Sequence, residues 1–208
     1  MTLNISVTDE QLGRFFRRAC AIAERLGKSL SYDDVMDEFQ KIHDGKSKTN
    51  NSIPCRLYPD EEIWVSATTG KKTIARSSNV FKGWIDLDFE NWGTDKQGSP
   101  TERTNVGIYE IKKDATFEQM FTSFGKIDNL CFEQEQIINF CLEHPDKLRK
   151  DGHGNFFLFK VGGLGRPFVA GVRFYTDGLC VRVFHFGYGG VWGAGPRHCV
   201  VVPQILVD

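Results

Sequence analysis

The stretch PFVAGVRFYTDGLCVRVFHF, residues 167–186, decides the fold class. Two runs rich in Val, Phe and Tyr flank Asp177-Gly178. That dipeptide is a strong signal for a two-residue type I′ hairpin, whose central residues both need positive φ. With 177 and 178 as the loop, Tyr175 faces Cys180, Phe174 faces Val181, Arg173 faces Arg182 and Val172 faces Val183. Side chains alternate between the faces of a strand, so Ala170, Val172, Phe174, Val181 and Val183 share a core face. Arg173, Tyr175, Arg182, Phe184 and Phe186 share the other, which reads as open. Two directly opposed arginines destabilise a sheet by about 0.2–1 kcal/mol. The register therefore predicts a compensating carboxylate, solvated guanidinium groups, or an anionic partner seated between them.

Working outward, residues 155–161 and 198–202 read as two further strands. The block 154–208 holds 11 of the 21 glycines, ten aromatic residues, and five Lys/Arg against two Asp. Upstream, residues 116–124 place Phe117, Met120, Phe121 and Phe124 at i, i+3, i+4 and i+7. Residues 132–142 place Ile137, Ile138, Cys141 and Leu142 on one helical stripe, with Glu133 and Glu135 near the positive N-terminal end. Pro145 closes that helix or starts one more turn. Both helices are expected to cover the core face of the C-terminal sheet. Residues 63–67, 84–89 and 106–111 alternate as short strands.

At the N-terminus, Thr8 and Gln11 fit a capping box, followed by Leu12, Phe15, Phe16, Ala19, Ile22, Ala23 and Leu26 at helical spacing and a stop at Gly27. Ser31 opens a second helix that runs to Gly45. The polar stretch 45–52 reads as a linker. The sequence thus predicts an α+β protein: an N-terminal helical pair over 1–45, then an α+β domain over 54–208 with a mixed middle, ending in an antiparallel sheet (154–208) packed against helices.

The chain has 208 residues, 26 Lys+Arg against 27 Asp+Glu, and 40% hydrophobic residues. These values exclude a disordered, collagenous or coiled-coil chain. No run approaches the roughly 18 apolar residues of a membrane helix, and residues 1–10 lack the basic and apolar regions of a secretory signal. Six dispersed cysteines do not resemble a disulfide scaffold. The expectation is a cytoplasmic protein with reduced thiols and no membrane contact. Balanced net charge disfavours bulk nucleic-acid binding, although a local basic patch stays open.

Several motifs point towards chemistry and fail on spacing. Cys180, His185, His198 and Cys199 suggest zinc, but alternation sends the members of each pair to opposite faces. Thr69-Gly70-Lys71-Lys72-Thr73 suggests a phosphate loop, but Val65 stands where the first glycine belongs. GHGNFFLF (152–159) has one residue too many for the aromatic strand of an RNA-recognition domain. Nucleophile-elbow, paired-His and dinucleotide fingerprints are absent, and no cofactor or metal is expected. Asp88 with Glu110 and Lys112 matches a D…ExK nuclease pattern, in which two carboxylates on adjacent strands hold Mg²⁺ and Lys orients water.

Residues 106–204 resemble a recurring module of uncharacterised bacterial proteins, common in candidate-phylum genomes. The segments KKDATFEQMF, LCFEQEQIINFC, LRKDGHGNFFLFKV and VW…RHCVVVPQ carry the likeness, and TDEQLGRFFRR is similar to a helical start in proteins of the same origin. The resemblance implies a bacterial, cytoplasmic α+β protein and transfers no catalytic residue. The glycine-rich GYGGVWGAGPRH and Pro145 depart from it.

Arginine beside aromatic residues is the composition favoured at binding hot spots. The expected function is a non-enzymatic interaction protein. It would bind a protein or anionic partner through Arg173, Tyr175, Arg182, Phe184, Trp192 and Arg197. A metal-dependent nuclease or hydrolase using Asp88, Glu110 and Lys112 is the alternative. The two separate on geometry: carboxylates of Asp88 and Glu110 within about 5 Å of each other favour the enzyme, whereas an exposed surface shared by Arg173, Arg182 and Trp192 favours binding.

Overall fold

The computed structural model describes residues 55–57, 62–150, 152–162 and 164–204; side chains at 56, 57 and 195–197 are outside the description. The helical pair expected over 1–45 lies outside the described residues. From residue 51 onward the chain forms one compact unit.

The core of that unit is a single mixed sheet. Its strands are β1 (Cys55–Leu57), β2 (Ile63–Val65), β3 (Trp84–Ile85), β4 (Thr104–Ile111), β5 (Gly154–Lys160), β6 (Pro167–Tyr175), β7 (Gly178–His185) and β8 (Gly195–Pro203). They run in the order β1-β4-β8-β5-β6-β7-β3, with the short β2 sharing the outer edge of β4 with β1. Three short helices decorate it: α1 (Asp88–Asn91), α2 (Phe117–Thr122) and α3 (Gln134–Glu143).

This architecture corrects the α+β expectation of a separate antiparallel C-terminal sheet. β5 pairs with β8 in parallel, β3 pairs with β7 in parallel, and β8 is sandwiched between β5 and β4. The middle and C-terminal strands therefore form one open sheet rather than successive regions. The cause lies in residues 186–194. β6 is antiparallel to both β5 and β7, so β7 and β8 run the same way, and the chain between them must cross a face of the sheet. Parallel strands cannot be joined by a tight turn. The glycine-rich segment is that crossover, with Trp192 pinned midway by paired backbone hydrogen bonds to Ala115.

Both faces are packed. On one, α3 sets Ile137, Ile138, Phe140 and Cys141 against Phe157, Phe159, Ala170, Val172, Val181 and Val201. On the other, α2 sets Phe117, Met120 and Phe121 against Phe156, Leu158, Val169, Phe184 and Val200. Fully burying one such side chain contributes about 1.5–3 kcal/mol. The two helices thus lie on opposite faces, not together on one. β5 carries the evidence in its own residues: Asn155 to Phe159 are all fully buried, as expected of a central strand covered on both sides.

Two local readings also change. The hairpin register slips by two: Tyr175 pairs with Gly178, Arg173 with Cys180, Val172 with Val181 and Gly171 with Arg182. The loop is Thr176-Asp177, and Gly178, with φ 124°, opens β7. An even slip preserves which side chains share a face, so the face assignment holds while the arginine–arginine pairing does not. The strand expected over 84–89 stops at Ile85. Asp86 Oδ1 accepts from Asp88 N, and the chain turns into α1, which buries Phe89 against Phe159 at 6.1 Å. α2 begins with a complete capping box: Gln119 N donates to Thr116 Oγ1, and Thr116 N donates to Gln119 Oε1.

Candidate binding surfaces

The even slip leaves Arg173 and Tyr175 on the α2 face of β6, where the crossover segment passes above them. Trp192 packs into that face with ring centroids 4.5 Å from Phe156, 5.2 Å from Phe117 and 5.7 Å from Phe184. Its indole N–H is buried and has no hydrogen-bond partner. Arg173 lays its guanidinium 5.8 Å from the Trp192 ring centre and donates from Nη1 to the Tyr175 hydroxyl at 3.4 Å. No carboxylate among the described residues pairs with it. Tyr175, Tyr188 and Val191 are exposed around this stack. His198 closes the other side at 5.4 Å from Trp192, accepting at Nδ1 from Gly154 N.

Of the six expected binding residues, the structure brings Arg173, Tyr175, Phe184 and Trp192 together. Phe184 is a buried support of Trp192 rather than part of the surface. Arg182 is separate: it lies 5.6 Å from the Trp84 ring centre, and its Nε is 3.6 Å from Asp86 Oδ2. Asp86 thus partners Arg182 although the opposed arginines that called for a compensating carboxylate are not formed. The side chain of Arg197 lies outside the described residues.

The alternative constellation is dispersed. Asp88 sits on α1 beyond the edge strand β3, where its Oδ1 accepts from Asn91. Glu110 is buried on β4 and paired with Arg149. β3 and β4 are not neighbours but five strand spacings apart, about 24 Å. Lys112 is exposed just past the end of β4. His185 and Cys199 belong to the α3 side, His185 stacked on Trp92 at 4.0 Å and Cys199 donating to Asn155 Oδ1 at 3.1 Å. His198 belongs to the α2 side. Burial pushes the thiols of Cys55, Cys131 and Cys199 up to about 12.

A second region, around the supposed phosphate loop, escaped the sequence reading. Residues 69–72 do surround an anion, and it is internal. The Glu135 carboxylate accepts from Thr69 N at 3.2 Å, Thr69 Oγ1 at 3.0 Å and Lys71 N at 3.0 Å, with Lys72 Nζ at 3.5 Å. Burial raises the pKa of Glu135, but the hydrogen bonds from Thr69 and Lys72 and the Lys72 charge outweigh it. The net shift is downward. Next to Glu135, buried Gln134 accepts from Ile74 N at 3.0 Å and donates to Thr94 O at 2.7 Å and Lys96 O at 3.0 Å. The start of α3 thus clamps loop 69–76 to loop 94–99. Gly98 N to Gly70 O at 2.9 Å and Gln97 Nε2 to Lys71 O at 3.0 Å complete the clamp. Gly70 has φ 76°, and a Cβ there would lie 2.6 Å from Gly98 O, so the approach of the loops requires glycine.

Between the two loops lies a cavity of about 500 Å³ lined by Lys71, Thr73, Arg76, Asp95, Lys96 and Gln97. The only sequence hint was the TGKKT motif, read for its glycine spacing rather than for what its side chains border. Among the described residues no helix is long and apolar enough to cross a membrane. No protein-family model, curated protein or solved structure matches the chain.

Proposed function

We propose that the protein is a non-enzymatic binding module that takes a partner protein through the surface around Arg173 and Trp192. The observation that supports this reading is the state of Arg173. It is a cation without a carboxylate among the described residues, held against an indole, beside exposed Tyr175, Tyr188 and Val191. Tryptophan, tyrosine and arginine dominate binding energy at protein interfaces because they combine large apolar area with a directed polar group. A fixed guanidinium over an aromatic floor matches a partner's Asp or Glu side chain flanked by apolar residues. Arg182, already matched by Asp86, is not part of this surface.

The test is affinity capture from the native host with wild type, Arg173→Glu, Tyr188→Ala and Arg182→Ala, followed by titration of the captured protein. The expected result is at least about a tenfold loss for the first two variants, about 1.4 kcal/mol, with Arg182→Ala unchanged. Equal capture by Arg173→Glu and wild type refutes the reading. Equal loss with Arg182→Ala does so as well.

A further inference from the structure

The cavity between loops 69–76 and 94–99 is a second, independent feature with the chemistry of a ligand site. Lys71, Arg76 and Lys96 stand on its walls, and none forms an ion pair with a described residue. The amides of Thr69 and Lys71 are already taken by Glu135, so an incoming anion would meet the side chains instead. Thr73 is the one buried lining residue, at 3% exposure, and its hydroxyl has no hydrogen-bond partner.

The walls are set in advance. Gln134, Gln97, Gly70 and Gly98 tie one loop to the other, so binding needs little ordering of the backbone. The volume falls in the range of small-molecule sites, roughly 300–1,000 Å³, and exceeds what a bare phosphate ion fills. Asp95 breaks the positive lining. A carboxylate and the free carbonyl oxygen of Gln97 both accept hydrogen bonds, which fits a ligand that carries hydroxyl groups beside its anionic end.

We infer that this cavity binds a small hydroxylated organic phosphate, of the sugar-phosphate or nucleoside-phosphate class. Lys71, Arg76 and Lys96 hold the phosphate, and Asp95 and Gln97 accept from the hydroxyl groups. A nucleic-acid surface would instead present cations in a stripe along a backbone, whereas these three cations gather around one pocket, which favours the small molecule.

The experiment is isothermal titration calorimetry of the full chain with ribose 5-phosphate, ADP, ribose and inorganic phosphate, with a 12-mer RNA as competitor. The expected result is saturable binding of ribose 5-phosphate or ADP, weaker binding of inorganic phosphate and none of ribose. Lys96→Glu and Arg76→Glu, whose exposed side chains make none of the clamp's hydrogen bonds, should each weaken binding about tenfold or more. Thermal melts of each variant establish that it is folded.

No binding of either organic phosphate overturns the proposal. Binding unaffected by Lys96→Glu and Arg76→Glu does the same, as does RNA bound more tightly than both small molecules. Arg173→Glu should leave this titration unchanged, so failure here and failure of the partner surface are separately readable.

Discussion

Replacing Gln134 with alanine should cost the protein about 2–4 kcal/mol, and the size follows from three hydrogen bonds made by one buried amide. Gln134 Oε1 is the acceptor for Ile74 N, and Ile74 is fully buried. Without it that N–H loses its partner, at about 1–3 kcal/mol for an unsatisfied buried donor. Thr94 O, on another fully buried residue, loses the donor at 2.7 Å, which adds about 1 kcal/mol. Lys96 is exposed, so its carbonyl rehydrates at little cost. With a urea slope of about 1–3 kcal/mol per molar, the unfolding midpoint should fall by roughly 1–2 M.

Gln134→Glu provides an internal check. It retains the acceptor for Ile74 but turns a carboxylate oxygen towards Thr94 O and Lys96 O, two further acceptors. Only the protonated acid can donate there, so the folded state raises the pKa of the new carboxyl. A raised pKa contributes stability below the unfolded value, near 4.3, and loses it as pH rises through the folded value. The deficit of Gln134→Glu against wild type should therefore be larger at pH 7.5 and shrink as pH falls towards 4.5. Tryptophan fluorescence during urea unfolding measures both variants, and hydrogen exchange at the Ile74 amide reports the contact directly. A midpoint change below about 0.3 M for Gln134→Ala, with Ile74 still protected, would refute the clamp.

Glu135 gives the opposite pH signature. Its pKa is lowered in the folded protein, so its stabilisation is complete above about 4.3 and is lost as pH falls through the folded value. Urea midpoints between pH 6 and 3 should fall less steeply for Glu135→Gln than for wild type. Gly70→Ala forces a left-handed backbone and a contact of 2.6 Å with Gly98 O, and should destabilise by at least about 1–2 kcal/mol in the same assay. Cys55, Cys131 and Cys199 should remain unlabelled by iodoacetamide at pH 8 in the native protein and react fully in urea, as read by peptide mass spectrometry.

What the sequence made legible was local. α2 was readable from Thr116 and its apolar face, α3 from its stripe, and β4 to β7 from their alternating or continuous apolar runs, because each signal lies within about ten residues. The faces of β6 and β7 were readable despite the wrong turn, since a slip of two cannot exchange them. Hence Arg173 and Tyr175 share a face in both registers, whereas Trp192 reaches that face only through the crossover's hydrogen bonds to Ala115. The partner of β8 was not readable: pairing with β5 and β4 at once depends on where the 186–194 crossover travels, and glycine imposes no direction on it. The expectation of a one-sided sheet fails at β5, where Phe156 to Phe159 form an unbroken apolar run equally consistent with a strand buried on both faces.

The cavity was hidden for a related reason. Glu135 reads from sequence as an acid at a helix start, where the helix dipole alone favours it, and Gln134 beside it carries no local signal. Their function in the fold is to anchor loops 40 and 66 residues away in sequence, and no local pattern encodes such a partner. The TGKKT motif fails as a phosphate loop because Val65 stands where its first glycine belongs. Independently, the amides of Thr69 and Lys71 already hold the carboxylate of Glu135. Once the loop is neutralised from within, Lys71 and Arg76 on its other side remain uncompensated, and Lys96 from the clamped loop joins them. An internal anion that rigidifies one side of a loop while leaving cations unpaired on the other is itself a reason to look for a ligand there. It also predicts that Glu135→Gln, by loosening the loop without removing any cavity cation, weakens binding of an organic phosphate less than Lys96→Glu does.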